Sequence, residues 1–296
     1  MRIIQEPDST SIYYKVLEFY PDNTRKFLGQ VSSFDEKLTY EGVNISYNKS
    51  GKKSSQISYI NGWPIGMAFY FYPDGTVQKA LNFTSVKAIT LSDSDLSGNY
   101  EMVDYFDPSG VQLVKNGNGY AVMQEAENLI REEGRYRQGL KDSVWRGSYP
   151  EPGRFYEEFY QEGRLISGLQ TLPDGTKLTY KKVQEHAQYK GGEKLFYQFL
   201  AKHFKYPKDA RESGISGKFN LKIIVQADGT PSFVGVYPVL THSIEQAAND
   251  LILRSPKWNT GKLRGKPVAV SYVIPISLNL SSNHQGGFSQ SKKPNF

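Results

Sequence analysis

Residues 268–280 constrain the fold of this chain more strongly than any other segment. Apolar side chains occupy every second position there: Val268, Val270, Tyr272, Ile274, Ile276, Leu278 and Leu280. This two-residue period predicts a β-strand with one face on a core. Pro275 lies inside the strand, and proline, which has no backbone N–H, occurs in sheets mainly at edges, strand starts and bulges. The strand is therefore predicted to have a free edge.

The position of Pro275 also predicts which backbone groups that edge offers. Residues of the same parity point their N–H and C=O groups to the same side of a strand. If Pro275 faces outward, Ala269, Ser271 and Val273 offer these groups to a partner. An open edge of this kind is a template for adding a strand from another chain.

The residues that precede this strand alternate between helical and extended patterns. Apolar residues within 195–204 recur at three- and four-residue steps, which predicts an amphipathic helix ending before Pro207. Residues 219–225 have the period of a strand, and Asp228-Gly229 predicts a hairpin turn into a second strand. A capping box that begins at Ser243 predicts a second helix. The region is therefore predicted to be a small α+β domain.

Several short motifs occur in a fixed order in the same region. They are Tyr206-Pro207 with Ala210, Gly214 and Gly217, then Asp228-Gly229, then Pro256-Lys257-Trp258-Asn259-Thr260-Gly261, then Gly265-Lys266-Pro267-Val268. In order and spacing they resemble the C-terminal domain of TonB, the envelope protein that engages outer-membrane receptors. The resemblance implies a domain whose last strand pairs with a short peptide at the N-terminus of a TonB-dependent receptor.

Carried over by position, the resemblance implies two sets of residues. The partner-binding set is Val268, Ala269, Val270, Ser271, Tyr272, Val273 and Ile274, together with His203 and Tyr206. The structural set is Pro207, Gly214, Gly217, Asp228, Gly229, Trp258 and Pro275. Within the structural set, Trp258 is expected to anchor the core beneath the closing strand.

The first part of the chain has a different pattern, in which short tyrosine-rich segments alternate with glycine turns. Clear turns are Asn48-Lys49-Ser50-Gly51, Ile60-Asn61-Gly62, Pro73-Asp74-Gly75, Asp107-Pro108-Ser109-Gly110, Gln161-Glu162-Gly163 and Pro173-Asp174-Gly175. Their spacing predicts repeated antiparallel hairpins that stack on one another. Residues 59–74 and 160–168 resemble the MORN-like repeats of bacterial envelope proteins. The aromatic rows are expected to serve packing more than a ligand groove.

These patterns divide the chain into three parts. Residues 1–185 are predicted to form the β-repeat domain, and the polar segment 91–98 is a candidate break between two sheets. Residues 186–281 are predicted to form the TonB C-terminal-type domain. Residues 282–296 have no periodicity and are predicted to be disordered.

Charge is distributed unevenly between these parts. From His186 onward there are 15 Lys and Arg against 6 Asp and Glu, which gives +9, whereas the first 185 residues carry −3. A basic domain of this kind favours an acidic peptide, peptidoglycan or another anionic envelope component. No base-reading motif accompanies the charge, so nucleic acid is not an expected partner.

An enzyme would need a catalytic constellation, and the sequence does not suggest one. The four histidines, His186, His203, His242 and His284, do not have metal-ligand spacing, and neither a nucleophile elbow nor a phosphate loop is present. Glu132-Glu133 and Glu157-Glu158 are adjacent pairs, whose side chains point to opposite faces of a strand. We therefore expect a protein that is not an enzyme and that needs no cofactor or metal.

The leading hypothesis from sequence is a cell-envelope binding module linked to transport across the outer membrane. The alternative is a structural or scaffolding envelope protein, which forms a homodimer through the free edge or binds a ligand through the repeat domain. No run of about 18 apolar residues is present, so no membrane span is expected. TonB has an N-terminal membrane helix, so we expect a periplasmic or envelope protein from which a leader or anchor has been removed before Met1.

Overall fold

The computed structural model describes residues 1–9, 11–34, 38–84, 100–124, 130–280 and 286–290. The chain forms two units, Met1–Lys181 and Lys182–Phe296. The division lies a few residues before the boundary expected after residue 185. Residues 184 and 185 fall in the second unit because they pair with a strand of that unit.

The described residues of the first unit form a 15-stranded antiparallel sheet in which strands follow one another in sequence order. The strands are β1 (Arg2–Gln5), β2 (Tyr14–Phe19), β3 (Arg25–Ser33), β4 (Thr39–Tyr47), β5 (Lys53–Ile60), β6 (Trp63–Phe71), β7 (Val77–Phe83), β8 (Tyr100–Phe106), β9 (Gln112–Lys115), β10 (Asn118–Gln124), β11 (Arg131–Arg137), β12 (Leu140–Ser148), β13 (Phe155–Gln161), β14 (Arg164–Thr171) and β15 (Lys177–Tyr180).

One turn geometry recurs along this sheet. In the turn of residues 72–76, Tyr72 donates its N–H to the Thr76 carbonyl, and Gly75 donates its N–H to the Tyr72 carbonyl. The Asp74 carboxylate accepts from the N–H and the hydroxyl of Thr76. Gly75 has φ +88°, a left-handed conformation that glycine adopts without a steric penalty. The same backbone hydrogen bonds close the turn of residues 172–176.

The candidate break at residues 91–98 lies outside the described residues. The strands on either side of it, β7 and β8, pair with each other in antiparallel register. The sheet therefore continues from β7 to β8 as one sheet. This long antiparallel sheet is compatible with the expected repeat region, and its MORN-like character stays a prediction.

The sheet buries aromatic rings by laying them over glycines on the neighbouring strand. Trp145, on β12, lies opposite Gly134, and a Cβ atom on that glycine would be 2.3 Å from the indole ring. Tyr156 covers Gly147 in the same way, with a distance of 2.0 Å from the built Cβ to the phenol ring. The absence of a side chain on the glycine leaves the room in which the ring is buried.

The described residues of the second unit form three helices and two small sheets. Its helices are α1 (Gly192–His203), α2 (Lys208–Glu212) and α3 (His242–Leu253). Its strands are β16 (Gln184–Glu185), β17 (Gly217–Val225), β18 (Pro231–Tyr237), β19 (Gly261–Leu263), β20 (Lys266–Val268), β21 (Val270–Leu280) and β22 (Gly286–Gln290). The larger sheet has the order β18-β17-β21-β22 and the smaller one β16-β19-β20. The fold class expected from sequence is confirmed.

The core of this unit lies between one face of the larger sheet and the helices. Alternate residues of β17, Phe219, Leu221, Ile223 and Val225, are buried, which is the period that the sequence showed. The buried residues of α1 are Phe196 and Leu200, which belong to its apolar stripe. The buried residues of α3 are Ile244, Ala248, Leu251 and Ile252. Helix α3 begins at His242 with Thr241 as its cap, whereas Ser243 was expected to be the cap.

Two parts of the C-terminal region differ from the sequence prediction. Val268 pairs with Gly261 in the smaller sheet, so the single strand expected over 268–280 is two strands separated at Ala269. Gly286–Gln290 forms a strand, although disorder was predicted there. The pairing of β22 with β21 is made by backbone groups, so the residue types of Gly286–Gln290 do not indicate it. The rest of the predicted tail lies outside the described residues.

Candidate functional site

The candidate site is the outer edge of β21 over residues 270–275. On one side, β21 pairs with β17 along residues 270–278. On the other side, β22 pairs only with residues 276–280. Within the described parts of the chain, no strand pairs with the outer edge of residues 270–275. An unpaired row of N–H and C=O groups is a surface to which another strand can be added.

Pro275 shows which residues of β21 face outward. Its carbonyl accepts a hydrogen bond of 3.0 Å from the Tyr197 hydroxyl on α1. Pro275 also lies opposite Asn220 of β17, and it has no N–H to give to that strand. Its backbone therefore faces away from β17, and Val273 and Ser271 share its parity.

The side chains of β21 divide between a core face and an open face. Ile274 is buried, and the Tyr272 ring packs edge-on against Trp258 with ring centroids 5.4 Å apart. Ser271 and Val273 are exposed, and Val273 has 52% of its surface accessible. These core-facing side chains hold the strand in position, so the backbone N–H and C=O groups at its outer edge have a fixed arrangement.

Helix α1 contacts the end of this edge through the hydrogen bond from Tyr197 to Pro275. A surface cavity of about 430 Å³ is lined by Glu193, Lys194, Tyr197, Gln198 and Ala201. Burial raises the pKa of Tyr197 to about 12, with Glu193 and Tyr272 adding to the effect. Its hydroxyl therefore stays protonated at neutral pH and remains a donor to the Pro275 carbonyl.

Basic side chains lie on the strand next to the edge. Lys222 is directly opposite Val273 in the register of β17 and β21, and Lys218 is opposite Ser277. Cross-strand neighbours on one face of a sheet are close enough to interact. Positive charge therefore lies one strand inward from the outer edge of residues 270–275.

The structure does not gather all of the predicted partner-binding residues at one edge. Val268 belongs to β20 in the smaller sheet, so it is not part of the candidate edge. His203 ends α1, with its ring 4.8 Å from that of Phe199, and the Tyr206 hydroxyl donates to the Ile215 carbonyl. A role for His203 and Tyr206 in binding stays a prediction.

The predicted structural residues occupy a helix cap, turns and the core of this unit. Pro207 caps α2, and Gly214 and Gly217 have positive φ angles of 66° and 147°. Trp258 is 3% exposed, so the predicted core position is confirmed. Its edge-on ring contacts are with Tyr189, Phe196 and Tyr272.

The Asp228-Gly229 turn is tied directly to Trp258. Gly229 has φ +86°, and its carbonyl accepts a hydrogen bond from the backbone N–H of Trp258. The Lys257 ammonium lies 2.7 Å from the Asp228 carboxylate, and this contact, with hydrogen bonds from Thr230, holds the pKa of Asp228 well below its usual range. The turn and the loop that carries Trp258 are thereby fixed to each other.

Tyr197 and Glu193 contribute to this site, and sequence reasoning missed both. The apolar pattern of α1 identifies the positions on its buried face, and Glu193 and Tyr197 are not part of that pattern. A signal was available, because Glu193, Tyr197 and Ala201 recur at four-residue steps and so share a second face of the helix. What the sequence could not give is the neighbour of that face, which is the edge of a strand far along the chain.

The described residues hold no group of three or more His, Asp or Glu side chains that could bind a metal ion. In the same part of the chain, no helix is both long and apolar enough to cross a membrane. The site consists instead of backbone hydrogen-bonding groups, one helix face and basic neighbours. Its chemistry is that of a binding surface.

The fold and the edge define a small α+β binding domain with an open strand. Residues 202–280 match the family model described as Gram-negative bacterial TonB protein C-terminal. This part of the chain is therefore a TonB C-terminal domain. The family is a non-enzymatic, transport-associated domain of the periplasm and cell envelope. No curated protein matches the chain.

Proposed function

We propose that this chain binds the N-terminal peptide of a TonB-dependent receptor by adding it as a strand to residues 270–275 of β21. The function is that of a cell-envelope binding module linked to transport across the outer membrane. The observation that carries the proposal is the outer edge of β21, which lacks a pairing strand over these residues among those described. The family match supports interaction with such receptors in general.

The binding energy would come mainly from backbone hydrogen bonds along the edge. Ser271 and Val273 have the parity that faces outward, so their N–H and C=O groups would pair with the added strand. Each such bond contributes about 0.5–1.5 kcal/mol net. Lys222 and Lys218, on the neighbouring strand, would favour a peptide that carries carboxylates.

Replacing Ser271 with proline tests the pairing directly. Proline removes the outward N–H and places its ring where the added strand would lie, while the inward pairing of β21 with β17 keeps its donors. We expect binding of receptor N-terminal peptides to weaken by about tenfold or more, which corresponds to about 1.4 kcal/mol. The measurement is calorimetric titration of the full chain with synthetic N-terminal peptides from receptors of the same organism.

Ser271→Ala is the matched control, since it keeps the N–H and changes only an exposed side chain. It should bind the peptides as the unmodified chain does. Circular dichroism should show that Ser271→Pro keeps the fold. Unchanged affinity in a folded Ser271→Pro protein would contradict strand addition at this edge.

A homodimer through the same edge is the second candidate, because an open strand can pair with a second copy of itself. Sedimentation of the full chain distinguishes the two. A dimer that Ser271→Pro dissociates, and that receptor peptides do not affect, would support a scaffolding role. A monomer that binds the peptides would support the proposed function.

A further inference from the structure

A groove on one face of the N-terminal sheet carries the strongest inference beyond the C-terminal domain. It crosses strands β2–β5 and has a volume of about 310 Å³, within the range of roughly 300–1,000 Å³ for small-molecule sites. Residues that line it include Glu18, Lys26, Phe27, Tyr40, Ser46 and Tyr59. Its lining therefore combines aromatic rings, hydroxyl groups and a pair of opposite charges.

The rings form a continuous row across neighbouring strands. Phe27 on β3 is 5.5 Å from Tyr40 on β4, measured between ring centroids, and Tyr40 is 5.4 Å from Tyr59 on β5. Tyr70 on β6 is close enough to raise the pKa of Tyr59, although burial is the larger cause. The pKa of Tyr59 is about 12, so its hydroxyl is a hydrogen-bond donor at neutral pH.

The hydroxyl groups of this row differ from those of other tyrosines in the sheet. Tyr72 and Tyr105 donate to backbone carbonyls of Phe106 and Val122. The Tyr59 hydroxyl, by contrast, has no hydrogen-bond partner among the described residues, and it is not one of the buried unpaired atoms there. The same holds for the hydroxyls of Tyr40 and Tyr70. Of these residues, Tyr40 and Tyr59 line the groove, so two unpaired tyrosine hydroxyls are available to a ligand there.

The two charged side chains that line the groove, Glu18 and Lys26, have opposite signs. Glu18 lies 2.6 Å from Arg2 and 3.3 Å from Lys26, measured between the charged atoms. A site that selects an anion or a cation by charge would hold an excess of the opposite sign. The paired charges instead offer hydrogen-bond donors and acceptors at the rim, which suits a ligand that is uncharged and rich in hydroxyl groups.

We propose that this groove binds an uncharged glycan, with pyranose rings stacked on the row of Phe27, Tyr40 and Tyr59. A pyranose with equatorial substituents presents a face of C–H groups, which packs against aromatic rings. Its hydroxyls point outward around the ring, where the Tyr40 and Tyr59 hydroxyls and the rim charges can bond to them. A linear β-1,4-linked glycan places successive pyranose faces along such a row.

The test uses the full chain with soluble β-1,4-linked oligosaccharides, of glucose in one series and of N-acetylglucosamine in the other. Calorimetry and tyrosine NMR resonances measure binding. We expect affinity to rise with oligosaccharide length in at least one series. Tyr40→Ala should lower that affinity by about tenfold or more, since loss of one aromatic stacking platform weakens other stacked complexes by about this factor.

Tyr59→Phe sharpens the test because it removes one hydroxyl and no protein hydrogen bond in the described structure. It should keep the fold and weaken binding by about threefold to tenfold, which is the loss expected for one hydrogen bond. Tyr120→Phe is the matched control, since Tyr120 is an exposed tyrosine on β10 of the same sheet. It should leave affinity unchanged.

Three results would overturn the proposal. The first is absence of binding to every oligosaccharide of both series at millimolar concentration. The second is binding that Tyr40→Ala and Tyr59→Phe leave intact. The third is binding confined to charged polysaccharides such as polygalacturonate, which would show that charge and not ring stacking selects the ligand.

Discussion

The two units of this chain bury their aromatic side chains in different ways. In the N-terminal sheet, Tyr156 lies over Gly147 of the adjacent strand, so that one sheet provides both the ring and the space that holds it. In the C-terminal unit, Trp258 is enclosed by Tyr189, Phe196 and Tyr272, which come from a loop, a helix and a strand. The first arrangement depends on pairs of adjacent strands, whereas the second depends on segments far apart in sequence.

The two units also differ in where a strand inside the sheet order has an unpaired stretch of edge. Core packing in the C-terminal unit holds β21 from one face, through Tyr272 and Ile274, so part of its edge stays unpaired without loss of order. In the N-terminal sheet each strand from β2 to β14 is paired on both sides. Its candidate ligand surface is therefore a face of the sheet and not an edge.

The largest expected effect comes from removing the central aromatic residue of the C-terminal unit. Trp258→Ala should destabilise that unit by about 3–5 kcal/mol, because it deletes a fully packed ring and leaves a cavity. Hydrogen exchange measured by mass spectrometry should show loss of protection in residues 182–280 and unchanged protection in the N-terminal sheet. Leu253→Ala, at an exposed position of α3, is the control and should change little. Equal loss of protection in both units would break the comparison.

A smaller effect is expected when the space beneath a ring in the N-terminal sheet is filled. Gly147→Ala places a methyl group within the volume of the Tyr156 ring, which must move. Overpacking of this kind costs about 1–3 kcal/mol. Urea unfolding followed by circular dichroism measures the loss. Ser148→Ala, at the next position and exposed, should be neutral within about 0.5 kcal/mol, and a neutral Gly147→Ala would contradict the proposed packing.

The recurring turn gives a matched pair of substitutions between the units. Gly175 and Gly229 occupy the same turn position with φ +81° and +86°, so alanine should cost about 1–2 kcal/mol of backbone strain at either. A Cβ on Gly175 meets no atom within 4 Å, whereas on Gly229 it would be 2.5 Å from the Trp258 carbonyl oxygen. Gly229→Ala should therefore be the more destabilising in urea unfolding. Equal effects would show that the Trp258 loop moves aside at no cost.

The smallest expected effect is a dependence on pH. The folded pKa of Asp228 is lowered, first by its hydrogen bond from Lys257 and then by those from Thr230. A lowered folded pKa contributes stability above the ordinary value of 3.8, and this contribution is lost as pH falls through the folded value. The difference in urea midpoint between the unmodified chain and Asp228→Asn should therefore be largest near neutral pH and shrink in acid.

Asp74 provides the control for this dependence, since it occupies the same turn without a lysine salt bridge among the described contacts. Its pKa is also lowered, by hydrogen bonds from Thr76. Asp74→Asn should therefore show the same sign of pH dependence with a smaller amplitude. A larger dependence for Asp74→Asn would mean that Lys257 does not act on Asp228 in solution.

Much of the fold followed from local patterns in the sequence. Buried alternation in β17 and the glycine turns of the N-terminal sheet appear where their residue types predict them. The free edge of β21 followed from Pro275, because an absent N–H is a property of the residue itself. The core position of Trp258 was also predicted.

Other features depend on which segments meet. Alternation continues unbroken through Ala269, so it could not show that Val268 pairs with Gly261 in a separate sheet. The hydrogen bond from Tyr197 to Pro275 joins residues 78 positions apart. Likewise, the amino-acid composition of Gly286–Gln290 does not predict that this segment pairs with β21.

The sequence by itself determined the apolar periods of the strands and helices, the glycine turns, and the position in β21 that lacks a backbone N–H. Each of these depends on the residue types within a few positions. Register, the partner of each sheet edge and the open hydroxyls of Tyr40 and Tyr59 were set by the tertiary structure. These depend on which distant segments meet, and because any backbone N–H can bond to any C=O, the residue types of one segment do not identify its partner.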